Sequence, residues 1–333
     1  MSKVSCLLLA SGVILITGSN GYIGSKVAQT LLGEEEKIIG IDSHSENVHA
    51  LPHNSSYQFF KSDITDVKTF PDQLKEANIL IHCAALVHKK SSDLSKENYF
   101  RVNCEGTKNI LNFLDKGRLK QIVFLSTVSV YGNRFNGIPP DEDTPAKPED
   151  FYGESKLAAE NEIRKFSQKY HIPYTIFRLA PVYGDSFLLN INKRIYLPGS
   201  VAFYKVGDGE QYLSLVSVNN VVDVVVKCIN NALFFDETFI VKDVEDYSIN
   251  GIIETFKKIY LQKGKPVLRI PLCILKTVLK LIGIVMPRRA KFYEYQLRKI
   301  TENAVYDGKK LHSIIDLKWN IRNTLLKFNA KGN

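Results

Sequence analysis

The stretch Val13–Leu32, VILITGSNGYIGSKVAQTLL, constrains this chain more than any other: an apolar β-branched run, a glycine-rich turn, then a helical pattern. Gly18 allows a tight turn, Gly21 a close approach of backbone to a ligand, and Gly24 close packing of helix against strand. A helix starting there aims free N–H groups and a partial positive charge forward, which suits a pyrophosphate. Asn20, Tyr22 and Ile23 complete the set facing such a ligand. The unit belongs in a parallel sheet with crossover helices, and the first half of the chain alternates accordingly. Strands are expected at Val13–Thr17, Lys37–Asp42, Tyr57–Lys61, Ile79–Cys83, Gln121–Ser126 and Tyr174–Arg178. Helices are expected at Tyr22–Leu32, Val67–Leu74, Asn98–Asp115 and Phe151–Lys169, the last capped by Asp150.

A glycine triplet alone is a weak signal, and the ends of the next strands give it meaning. The second strand ends in IIGID, with Asp42 eighteen residues after Gly24. A carboxylate there holds the hydroxyls of an adenosine ribose and repels a 2′-phosphate, which favours NAD over NADP. Asp63, followed by Ile64, ends the third strand in KSDIT as an acceptor for an adenine amino group. Cys83, Ala84 and Ala85, in HCAAL, are small enough for a flat cofactor to lie against the backbone. His82 reads first as a satisfied core histidine. Asn103, in VNCEGT, either fixes its helix or holds a carbonyl or water near a reaction centre.

The fifth strand runs into LSTVSVYG, placing Ser126 and Thr127 where ligands of open parallel sheets sit. Downstream, in FYGESK, Tyr152 and Lys156 lie four apart and share a helix face. A free phenol titrates near ~10 and is a poor base at neutral pH. An ammonium beside it stabilises phenolate, and lowering it by roughly three units takes ~4 kcal/mol. Thr127, Tyr152 and Lys156 thus read as a proton-transfer set beside a hydride acceptor.

These motifs, together with RLAPVYG (Arg178–Gly184), resemble the extended short-chain dehydrogenase/reductases, specifically the NAD-dependent epimerase/dehydratase family. The resemblance implies an α/β Rossmann fold, a doubly wound parallel sheet with a smaller, mostly helical C-terminal substrate lobe. It divides the chain at 12–185 and 186–330, and implies bound NAD, a UDP-sugar substrate and a homodimer. It also makes Lys156 a holder of the nicotinamide ribose, and Ser126, Pro181 and Val182 cofactor neighbours. Dehydratases of this family follow the catalytic Thr with an acidic pair, where this chain has Val128 and Ser129. Many family epimerases hold the substrate diphosphate through an Asn and an Arg, where this chain has Pro181 and Leu213. Arg194, Lys193 and Lys205 are the cations that could substitute. The expected activity is a nucleotide-sugar epimerase or 4-ketoreductase working through a 4-keto sugar. The alternatives are a hydroxysteroid-like dehydrogenase of a lipophilic alcohol and a non-catalytic NAD-binding protein.

Bulk properties fit a cytoplasmic protein. Five cysteines without a C-x-x-C pair argue for reduced thiols, and seven histidines without ligand spacing argue against a metal. The apolar run of MSKVSCLLLASGVILITG flows into a strand the fold needs, so it is not read as a leader. With 44 Lys and Arg against 35 Asp and Glu, the net charge of +9 suggests a phosphate-bearing small molecule or an acidic membrane. The basic residues read as scattered, which disfavours nucleic acid. IPLCILKTVLKLIGIVMP (Ile270–Pro287) reads first as an amphipathic helix docked on the protein, and second as a helix touching a membrane surface.

Overall fold

Six strands form where β-branched and apolar residues cluster: β1 (Val13–Thr17), β2 (Lys37–Asp42), β3 (Tyr57–Lys61), β4 (Ile79–His82), β5 (Gln121–Thr127) and β6 (Tyr174–Leu179). The computed structural model describes residues 12–34, 36–45, 55–87, 95–132, 137–184, 187–285 and 297–329. Cys6 and most of the N-terminal apolar run lie outside them. Further strands are β7 (Val182–Tyr183), β8 (Phe203–Val206), β9 (Tyr212–Ser214), β10 (Val216–Ser217), β11 (Glu237–Val241), β12 (Asp246–Ser248) and β13 (Val267–Ile270). The main sheet has the order β11-β6-β5-β4-β1-β2-β3, and every pairing from β3 to β6 is parallel. This is the Rossmann sheet, with its order reversing beside β1. All seven residues of β5 are buried, as a central strand covered on both faces requires.

The helices include α1 (Tyr22–Leu32), α2 (Lys96–Phe100), α3 (Gly106–Phe113), α4 (Phe151–Tyr170), α5 (Leu189–Ile195), α6 (Val218–Cys228), α7 (Ile249–Ile259) and α8 (Leu272–Val285), with two more at Lys309–His312 and Ile321–Asn329. Asp150 caps α4 by accepting from the Gly153 N–H at 2.8 Å. Two expected helices take other forms. Val67–Leu74 becomes two 3₁₀ turns, because Pro71 lacks the N–H and the room that a continuous helix needs. The expected Asn98–Asp115 helix is split into α2 and α3 by a π-helical turn at Arg101–Glu105, which carries the buried Asn103.

The chain forms two compact units that are discontinuous in sequence. The first comprises residues 12–132, 145–179 and 221–239, and its core sets Leu15, Ile39, Leu80 and Phe124 of the sheet against Ile110 and Ile163 of the helices. The second comprises residues 137–144, 180–220 and 240–329, with a core that includes Tyr183, Phe203, Ile252, Phe256 and Leu325. Its helical run is interrupted by β13, paired in parallel with β8. The fully buried Asp243 carboxylate accepts from the Tyr183 hydroxyl at 2.6 Å, the Tyr247 hydroxyl at 2.9 Å, the Ser217 N–H and the Asn220 amide. Burial nonetheless pushes its carboxyl up to about 6.

A buried ion-pair network ties α4 to β5 and β6. Glu160 accepts from Arg178 through Nε at 3.1 Å and Nη2 at 2.8 Å, from Arg164 Nη2 at 3.1 Å and from Ser126 Oγ at 2.5 Å. Burial opposes the Glu160 charge, but Arg178 outweighs it and holds the carboxyl below its ordinary range. Arg178 also donates to the Tyr131 hydroxyl at 2.7 Å. Removing one partner leaves a buried charge uncompensated, which costs more than the pair itself contributes. Glu160→Ala is therefore expected to lower unfolding free energy by about 3–5 kcal/mol, read from urea denaturation curves.

Candidate active site

Parallel strands bring the C-terminal ends of β1, β2, β3, β4 and β5 to one edge of the sheet. The sequence-predicted residues of the first unit gather there. Gly18 leaves β1 with φ +68°, and a Cβ on it would lie 2.8 Å from the Ala84 backbone nitrogen, so only glycine fits. Gly21 is exposed, while Gly24 is buried against the Gly18 carbonyl. Tyr22 and Ile23 are partly exposed on the first turn of α1, which has no side-chain cap. A helix start without a side-chain cap is suited to an anion.

Asp42 faces this turn: Oδ2 accepts from the Asn20 N–H at 3.2 Å and Oδ1 from the His44 N–H at 3.0 Å. Asn20 donates its side-chain amide to the His44 carbonyl at 2.7 Å, so it braces the turn against the end of β2. Asp63 is partly exposed and accepts from the Thr65 N–H at 2.8 Å. Ala84 and Ala85 are partly exposed at the end of β4. A tight glycine turn, an uncapped helix start, a carboxylate at the next strand end and a wall of small residues together fit a dinucleotide.

Several expected cofactor contacts have other work. Ile64 is buried, with its side chain packed beneath Gly106. Asn103 fixes local structure: Oδ1 accepts from the Leu86 N–H at 2.7 Å, and Nδ2 donates to the Leu86 carbonyl and to Ser155 Oγ. The Ser126 hydroxyl points to Glu160. Pro181 and Val182 belong to the second unit, where Pro181 is exposed and its carbonyl accepts from the Val216 N–H. His82 is a satisfied core histidine between Thr17 and Thr107, pushed down to about 3 by burial and then by the charge of Lys156. Burial pushes the neighbouring Cys83 thiol up to about 12.

Thr127, at the end of β5, lies close to the half-buried Tyr152 near the start of α4, and its hydroxyl accepts from the Ser129 N–H at 3.2 Å. Burial is the largest influence on the phenol and pushes it up, the Thr127 hydroxyl pulls it down, and the Asp150 and Tyr99 charges push it up again. The phenol is thus raised, not lowered as the sequence reading expects. Lys156, 1% exposed, lies with Nζ 3.9 Å from the Phe124 ring centroid. Burial brings its ammonium down to about 7, against the opposing charges of Glu160 and Cys83.

The sequence reading missed Gly153. A Cβ there would sit 2.6 Å from the Ser129 carbonyl oxygen, so glycine lets α4 close on the turn after β5. A glycine in the first turn of a long helix was the available signal. In the second unit, the cations considered for a diphosphate are engaged: Arg194 Nη1 donates to the Lys299 carbonyl and Lys205 Nζ to Asn250 Oδ1, while Lys193 is exposed. Leu213 is part of that unit's apolar core.

A family model described as the NAD dependent epimerase/dehydratase family matches residues 14–238. A UDP-glucose 4-epimerase of Vibrio cholerae is 30% identical over 274 residues, 78% of this chain and 79% of that protein. An N-acetyl-alpha-D-glucosaminyl-diphospho-ditrans,octacis-undecaprenol 4-epimerase of Escherichia coli O157:H7 is 25% identical over 307 residues, 90% of this chain and 88% of that protein. Among solved structures, a UDP-glucuronic acid 4-epimerase from Bacillus cereus in complex with NAD matches in fold, with a TM-score of 0.74 at 20% identity over 96% of this chain and 99% of that one.

The geometry sets two expected outcomes. Helix propensity alone favours Gly153→Ala by about 0.5–1 kcal/mol. The contact with Ser129 opposes it by about 1–3 kcal/mol, so the variant is expected to be less stable in urea. Lys156 titrates in the folded chain at about 7 against an ordinary 10.5, so within that window the unfolded chain binds a proton that the folded chain lacks. Its contribution to stability therefore rises with pH from 7 to 10.5, by at most about 5 kcal/mol. The stability difference between wild type and Lys156→Met, measured across that range, is expected to show this slope.

Proposed function

The chain belongs to the NAD-dependent epimerase/dehydratase family and is an NAD-dependent enzyme; from that premise we propose that it is a 4-epimerase of sugars carried on a diphosphate, with a UDP-sugar as the first substrate to test. The observation that carries this reading is Thr127 and Tyr152 brought close together at the end of β5, with Val128 and Ser129 next in the chain in place of an acidic pair. That arrangement moves a proton to and from one oxygen and has no group for elimination at a neighbouring carbon.

The turn at Gly18–Gly24, the start of α1, Asp42, Asp63 and Ala84–Ala85 would hold NAD. When bound, NAD supplies a hydride acceptor that can return the hydride. The chain's own residues manage the proton. Tyr152 takes it from the sugar 4-hydroxyl as that carbon is oxidised to the ketone, and gives it back as the ketone is reduced. Thr127 orients the same oxygen through its hydroxyl. Lys156, buried beneath, stabilises negative charge on the phenol side and offers a donor to ribose hydroxyls. Return of hydride to the opposite sugar face makes the reaction an epimerisation. Delivery of hydride from reduced dinucleotide to a 4-keto sugar, without the preceding oxidation, would make it a 4-ketoreductase, distinguished by ready exchange of the dinucleotide. A homodimer is part of this proposal, readable by light scattering.

A second substrate reading rests on the engagement of Arg194 and Lys205 and on Leu213. The positions and side chains through which many relatives grip a nucleotide diphosphate hold Pro181 and a core leucine. A sugar diphosphate with a polyprenol as its other half, the substrate class named for the Escherichia coli relative, fits that departure. The test is epimer ratio by NMR on UDP-linked and polyprenyl-diphosphate-linked N-acetylhexosamines and hexoses. Tyr152→Phe is expected to lose about 10²–10⁴-fold in turnover while keeping the thermal shift with NAD. Full turnover by that variant, or no shift with NAD, would sink the proposal.

A further inference from the structure

Residues 255–293 contain ten Lys and Arg and no Asp or Glu. The whole chain has 44 basic and 35 acidic residues, so the remainder holds 34 against 35. The positive charge is therefore concentrated in this segment, while the rest of the chain taken together is close to neutral.

The same segment carries the most exposed apolar helix among the described residues. Ten of the fourteen residues of α8 are apolar, LCILKTVLKLIGIV. Ile274 is 54% exposed, Val278 46%, Leu281 57% and Ile284 72%. With about 100° of turn per residue, these four share an arc of about 120°, and Lys280 and then Lys276 lie along one margin of it. Val267 and Leu268, on β13 just before the helix, are exposed as well. Leu272, Leu275 and Ile282 are half-buried, so docking of Ile270–Pro287 on the protein, the first sequence reading, leaves this stripe uncovered over the described part. Met286 and Pro287 lie outside the described residues.

We infer that the exposed stripe of α8 docks on an anionic lipid bilayer, lying in the interface with its lysines toward the headgroups. Charge complementarity selects this occupant. A second copy would set one acid-free basic segment against another, whereas anionic headgroups neutralise it. Fourteen residues span about 21 Å, short of the ~30 Å hydrocarbon core, and no described helix is long and apolar enough to cross it, so the helix lies on the surface. This inference stands on the helix and its charges and does not depend on the reading of the catalytic site.

The test is flotation of the full chain, loaded with NAD, with vesicles of phosphatidylcholine alone or mixed with phosphatidylglycerol. Partitioning onto the mixed vesicles is expected to exceed that onto phosphatidylcholine by about tenfold or more, and to fall in about 0.5 M salt. Ile274→Asp with Leu281→Asp, and separately Lys276→Glu with Lys280→Glu, should each reduce binding by about tenfold, with the NAD thermal shift unchanged as the check on folding. The inference is overturned if the wild type floats with neither vesicle, or if the Asp pair floats as well as the wild type. It is also overturned, in favour of a protein interface, if the Asp pair abolishes self-association of a chain that does not float.

Discussion

The approach of α4 to the end of β5 is the contact on which the rest of the site depends. Gly153 makes it sterically available, because any Cβ would meet the Ser129 carbonyl at 2.6 Å. Glu160, two turns further along the same helix, locks it through Arg178 of β6 and Ser126 of β5. Asn103 fastens the near end from the other side, through Ser155. Three clamps of different chemistry thus fix one helix, and Tyr152 meets Thr127 as a consequence. The buried ion pair is weak evidence for net stability, since two charges must be desolvated to make it. Its value here is positional: it admits only one register of α4 against the sheet.

Much of this was legible from sequence. The glycine turn, Asp42 and the alternation of strands and helices gave β1 to β6 and α1 nearly to the residue, because hydrophobic periodicity and turn chemistry agree there. The hydroxyl, phenol and amine were found through their spacing on one strand end and one helix face. What sequence did not reveal was which polar side chains serve the protein rather than a ligand. Ser126 and Asn103 sit in the motif positions that suggest cofactor contact, yet their hydrogen bonds go to Glu160, Leu86 and Ser155. Those partners are between 17 and 52 residues away in sequence, and no local pattern encodes them. Gly153 offered a signal, a glycine in the first turn of a long helix, but the atom that forbids a side chain there belongs to another element. The π-helical turn at Arg101–Glu105 likewise leaves no mark in a periodicity analysis, which reads one continuous helix.

Charge was misread for a different reason. A net value of +9 treats the chain as uniform, and a glance along it finds Lys and Arg in every region. The informative quantity is the absence of acids from 255–293, because basic residues elsewhere have acidic counterparts in nearly equal number. Residues 1–254, which hold the glycine turn, have 26 Lys and Arg against 31 Asp and Glu, so their net charge does not favour a diphosphate. Anion binding at the glycine turn must then rest on local donors: the uncapped first turn of α1 and the backbone around Gly21.

The electrostatics of Tyr152 and Lys156 set a constraint on how the pair can work. Burial acts on both in the direction of neutrality, raising the phenol and bringing the amine to about 7. Phenolate and ammonium together are therefore not the resting form that their spacing suggests. Of the two, the amine is the easier to recharge near neutral pH, because its value already lies there. A ligand that adds hydrogen-bond acceptors at Lys156 favours the ammonium. Thr127 is the one neighbour that already pulls the phenol down.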